Sequence, residues 1–107
     1  MLAARGGVEP RAMLEILAAS ALGAPMYQAK GETIARRDFT PNFYLRNMLK
    51  DLDLVLGAGK QLGVELPGAR AVRSAFAAAA QQGLAEQDYS AVFQWLEQQA
   101  AARSAAT

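Results

Sequence analysis

At 107 residues the chain is long enough for one domain with a single modest core. It contains neither cysteine nor histidine, which excludes disulfides, thiolate or imidazole metal sites, and Ser-His-Asp or Cys-His catalysis. Eleven Lys and Arg against ten Asp and Glu fall short of the basic surface a nucleic acid needs, and no apolar run reaches membrane-spanning length, so a soluble cytoplasmic protein is expected with no nucleic-acid or membrane partner.

Residues 1–5 form a short helix-compatible piece that stops at Gly6-Gly7. Glu9-Pro10 starts the next helix, because proline at the first helical position gives up an N–H that has no partner there anyway. Met13, Leu14, Ile16, Leu17 and Leu22 supply its apolar side and Gly23 ends it, with Ser20 read as bonding back along the helix. Pro25 opens a further helical segment to about Arg36, in which Gly31 makes a break plausible. Arg36-Arg37-Asp38 is a charged knot. It reads as a surface ion arrangement at a helix end rather than as a carboxylate-binding site.

The longest helix follows. Asp38, Thr40 and Asn42 are alternative turn or cap residues around Pro41, and Gly63 is a natural stop. At about 100° per residue, Leu45, Met48, Leu49, Leu52, Val55, Leu56 and Leu62 gather on one broad side, which is expected to be core. Opposite them, Phe43, Asn47, Lys50 and Leu54 fall within a stripe about 60° wide, with Asp51 at its edge. An aromatic wall, an amide, an ammonium and a carboxylate together suit an anionic or carbonyl ligand. The competing reading is an ordinary solvated face with Phe43 tucked into a neighbouring helix. Gly57-Ala58-Gly59 lies inside this helix with no preceding strand, so it is no dinucleotide fingerprint and reads as local loosening or close packing.

Pro67 opens a helix to about Gln82, with Val72, Phe76 and Ala79 on one stripe, Arg70 and Arg73 on another, and an alanine cluster that allows close helix approach. Gly83 ends it. Asp88 or Ser90 caps a last amphipathic helix carrying Tyr89, Val92, Phe93, Leu96 and Ala100, with Trp95 off the stripe. Residues 101–107 read as a frayed tail. No stretch alternates convincingly as a strand. The fold class is therefore all-α: about five helices plus an N-terminal stub.

The run Asp38-Phe39, Phe43, Leu45, Met48-Leu49-Lys50-Asp51-Leu52, then Leu62-Gly63-Val64 and Leu66-Pro67, resembles the C-terminal domain of the β-hydroxyacid dehydrogenases, the family of 3-hydroxyisobutyrate dehydrogenase and glyoxylate/succinic semialdehyde reductase. Gly83-Leu84 and Asp88-Tyr89-Ser90-Ala91 are similar to the segment opening that domain's last helix, and the likeness runs from about residue 7 to about residue 96. It implies that residues 1–6 are the remnant of an interdomain helix and 7–100 the bundle. It also implies NAD or NADP as cofactor, held mainly by a Rossmann domain absent from this sequence and not bound by this chain alone. By motif position, Lys50 and Phe43 would contact cofactor, and Phe43, Asn47 and Asp51 a small hydroxyacid or aldehyde substrate. Asp51 is at most a supporting residue in catalysis. The family's catalytic Lys, with its partner Asn, has no equivalent here, so the chain is expected to be inactive alone and to await a Rossmann-domain chain. The truncated interdomain helix would leave apolar surface for a second copy, so a homodimer is expected. The alternative is a stand-alone helical module for self-association or partner binding.

Overall fold

The computed structural model describes residues 1–106. Its helices are α1 (Leu2–Arg5), α2 (Pro10–Ala19), α3 (Pro25–Ala35), α4 (Leu45–Leu62), α5 (Pro67–Ala79) and α6 (Val92–Ala106), with a π-helical turn over Ala80–Leu84 and a 3-10 turn over Tyr89–Ala91. The all-α class, with five helices and a stub, stands; no strand forms among the described residues. No helix is long and apolar enough to cross a membrane. The backbone separates into two compact units, the first ending at Phe39 and the second beginning at Thr40.

In the first unit α1 ends at Gly6, and Gly7 turns the chain with φ +87°. Pro10 and Pro25 occupy the first turns of α2 and α3, as expected of residues with φ preset and no N–H to satisfy. α2 stops earlier than Gly23. Ser20 has swung to extended backbone, its hydroxyl donating to Leu17 O at 2.8 Å and accepting from Leu22 N at 3.1 Å. α3 does not break at Gly31. That glycine is buried, and a Cβ there would come within 2.6 Å of Leu14 Cδ2. The missing side chain is what lets α2 approach α3, and this contact outweighs the helix-propensity cost of glycine. Arg11 reaches across to Glu32 at 2.7 Å, and that hydrogen bond holds the Glu32 carboxyl below its ordinary range. α3 ends in a turn in which Asp38 N bonds Thr33 O and Arg37 N bonds Ile34 O. Arg37 takes the left-handed position, φ 56°, that glycine usually fills.

The second unit is built on α4. It ends as the sequence suggests: Gly63 is left-handed at φ 69°, Val64 N bonds Gly59 O, and Gly63 N bonds Lys60 O. This turn folds directly over Gly59, where a Cβ would meet Val64 O at 2.9 Å and Leu66 Cδ1 at 2.8 Å. Of the two glycines around Ala58, Gly59 therefore serves close packing, while Gly57 faces open space.

The start of α4 differs from expectation. The helix begins at Leu45, not at Pro41 or Asn42. No side chain caps it. Instead Leu45 N and Arg46 N donate to Gln87 O and Ala85 O, at 2.8 and 3.1 Å, and Tyr44 pairs with Asp88 as an isolated β-bridge. Distant carbonyls replace the local cap, so residues 41–44 stay extended.

Of the apolar face of α4, Leu45 is fully buried and Met48, Leu49, Leu52 and Leu56 are half-buried. Val55 and Leu62, expected in the core, are exposed, Leu62 to 79%. They lie about 80° and 100° around the axis from Leu45. Asp53, about 80° round on the other flank, is bridged by Arg73 of α5 at 2.8 Å. α5 thus covers that flank and leaves Val55 and Leu62 open. Phe76, Ala79, Leu84 and Ala91 complete the buried apolar set of this unit. α6 runs through Ala106, across the stretch read as a frayed tail, whose last residue lies outside the described ones.

Candidate functional site

Asn47, Lys50, Asp51 and Leu54 all lie on α4, turned away from buried Leu45. Asn47 is half-buried, Lys50 and Leu54 are exposed, and Lys50 Nζ lies 3.4 Å from Asp51 Oδ1. Both members of that pair are well solvated, so their mutual attraction is weak and the ammonium stays available to an incoming anion.

Phe43 does not belong to this helical stripe. It stands two residues before α4, with its ring edge-to-face on Tyr89, centroids 6.1 Å apart and planes at 74°. The reason is the backbone. Phe43 N donates to Asp88 Oδ1 at 3.2 Å, and Phe43 O accepts from Tyr89 N at 2.8 Å. The sequence places a single aromatic wall residue here; the structure adds a second ring, Tyr89, beside it.

Asp88, expected only as a helix cap, does that work through Oδ2, which accepts from Ser90 N at 3.1 Å and from the Ser90 hydroxyl. Its other oxygen also takes Asn42 N at 3.0 Å. The Asp-x-Ser spacing signals the cap; nothing local to residue 88 signals its partners at 42 and 43.

Further along, the turn between α4 and α5 borders a cavity of about 410 Å³ lined by Leu56, Lys60, Val64, Leu66 and Arg70 among others. Lys60 lies about 15 Å along α4 from Lys50, at 1.5 Å per residue, so this cavity is separate from the stripe. Arg70 is engaged there by Glu65 at 2.7 Å. Among the described residues no three carboxylates gather to hold a metal ion. The stripe's own donors fit the edge of a dinucleotide or a small acid: one cation, one amide and an apolar wall. Gly57-Ala58-Gly59 lies within α4 and makes no phosphate-cradling turn.

The family described as "NAD-binding of NADP-dependent 3-hydroxyisobutyrate dehydrogenase" matches residues 1–96. Glyoxylate/succinic semialdehyde reductase 1 of Arabidopsis thaliana is 34% identical over 94 residues, covering 88% of this chain and 32% of the relative. Glyoxylate/succinic semialdehyde reductase 2 of the same plant is 30% identical over 97 residues, covering 91% and 27%. The crystal structure of 3-hydroxyisobutyrate dehydrogenase from Salmonella typhimurium superposes with a TM-score of 0.82 at 30% identity, covering 87% of this chain and 33% of that one. The chain spans about a third of the length of these relatives.

Proposed function

The chain belongs to the 3-hydroxyisobutyrate dehydrogenase family and has the fold of its helical C-terminal domain, and on that premise we propose that it is the cofactor- and substrate-closing part of an NAD(P)-dependent hydroxyacid oxidoreductase. The observation that carries this reading is the exposed Lys50 ammonium, one turn beyond half-buried Asn47 on the side of α4 opposite buried Leu45.

In this reading Phe43 walls the nicotinamide and substrate, Lys50 meets an anionic group of the cofactor, and Asn47 and Asp51 orient a small hydroxyacid or aldehyde. The nicotinamide, when bound, supplies or accepts the hydride. This chain's residues bind, orient and exclude water. The proton on the substrate oxygen needs an acid–base group in register with it. Residues 1–107 offer no histidine, so a Rossmann-domain segment or chain completes the reaction, and the helical part alone is inactive.

Titrating the chain with NADPH under NMR observation tests the site. The expected result is weak, saturable shifts confined to residues 43–51, which Lys50→Ala reduces at least threefold while the fold is retained. Shifts centred on Lys60 and Arg70, or none at millimolar cofactor, would sink the assignment.

A second reading, self-association, is favoured by exposed Leu54, Val55, Leu62, Val64 and Val72 on the second unit. A homodimer is expected to sediment as twice the chain mass at micromolar concentration, and a strictly monomeric mass would refute it.

A further inference from the structure

We propose that Asp88 is a positioning residue for the site wall: its carboxylate holds Asn42 and Phe43 outside α4 and so fixes where the Phe43 ring stands. The functional half of this rests on the reading of Phe43 as that wall.

Asp88 is 1% exposed. Burying a carboxylate is costly unless donors surround it, and a cap for the following turn needs only one of its oxygens. Here each oxygen serves a different segment. Oδ2 takes Ser90 N and the Ser90 hydroxyl, while Oδ1 takes Asn42 N at 3.0 Å and Phe43 N at 3.2 Å. Both polar backbone atoms of Phe43 are thereby tied to adjacent residues, its N–H to Asp88 and its carbonyl to Tyr89 N. With both flanking peptide planes held, only the side-chain torsions of Phe43 remain, and the Tyr89 ring at 6.1 Å restricts those.

A residue inside a helix receives such definition from its neighbours; Phe43 lies outside one and receives it from Asp88 and Tyr89. Asparagine cannot reproduce the arrangement. Its amide end would turn N–H groups toward N–H donors on one side or the other.

Three measurements on the full chain decide this. In the unsubstituted protein, the Asn42 and Phe43 amides should exchange at least ~100-fold more slowly than unbonded loop amides. Fast exchange at both would overturn the clamp. In Asp88→Asn those two amides should exchange at least tenfold faster and the Phe43–Tyr89 ring contact should fade, while amides in the middle of α4 keep their rates. Ser90→Ala, which leaves Oδ1 untouched, should preserve both signals. Unchanged signals in folded Asp88→Asn would refute the proposal; if that variant does not fold, the exchange pattern of the unsubstituted chain decides.

The third measurement is NADPH affinity. Asp88→Asn and Phe43→Ala should each weaken it at least threefold, and the double variant should be no weaker than Phe43→Ala, because without the ring there is nothing left to position. Additive losses would overturn the positioning role. Absence of NADPH shifts in the unsubstituted chain would instead remove Phe43 as a wall, and exchange and ring contact would then judge the clamp alone.

Discussion

Asp88→Ala is expected to lower the unfolding free energy of the second unit by at least ~3 kcal/mol. The substitution leaves the amides of Asn42, Phe43 and Ser90 without the acceptor they share. Each orphaned buried donor costs about 1–3 kcal/mol, and the space vacated by the carboxylate can admit water to only some of them. Trp95, the one tryptophan, lies in α6 of this unit and is half-buried, so its fluorescence during urea unfolding reports the loss. With a slope of about 1–2 kcal/mol/M for a unit of this size, the midpoint should fall by roughly 2 M. A fall worth less than about 1 kcal/mol would mean that other donors or water replace the carboxylate without penalty.

Leu45→Ala is expected to cost about 3–4 kcal/mol, and Leu62→Ala less than about 0.5 kcal/mol. The two residues share a side-chain type, a helix and, by periodicity, a face. Leu45 is 0% exposed and its backbone is tied to Gln87, so the site cannot collapse around the deletion. Leu62 is 79% exposed in the last turn, beside the reversal at Gly63. Calorimetric or urea midpoints of the two variants give the comparison directly. Equal losses would show that Leu62 is covered in solution, which is what the dimer reading requires.

Much of the helical framework is legible from single residues. Pro10, Pro25 and Pro67 each sit in a first helical turn, and Gly63 closes α4, because these residues carry their conformational preference with them. What depends on a distant partner is not legible. The beginning of α4 lies three or four residues beyond Pro41 and Asn42 because its first amides go to Ala85 and Gln87. The continuity of α3 through Gly31 rests on Leu14 from another helix. Val55 and Leu62 fit the apolar period, but which flank of α4 is covered follows from the placement of α5, marked by Asp53 and Arg73. For the candidate site, Lys50, Asp51 and Asn47 follow from helical spacing alone. Phe43 was placed on the same stripe, and its true setting against Tyr89 is a tertiary fact.

The uncapped start of α4 has a consequence for the order in which this unit assembles. Its first turn is completed only when residues 85–87 arrive from some forty positions downstream, and closing a loop of that length costs roughly 3 kcal/mol of chain entropy. The middle and end of α4, which satisfy themselves locally, can form early. The turn that carries Phe43 and Asn47 must wait for the far side of the unit. The candidate site is then among the last features to be defined on folding and the first to be lost on local opening, and its geometry exists only in the assembled unit.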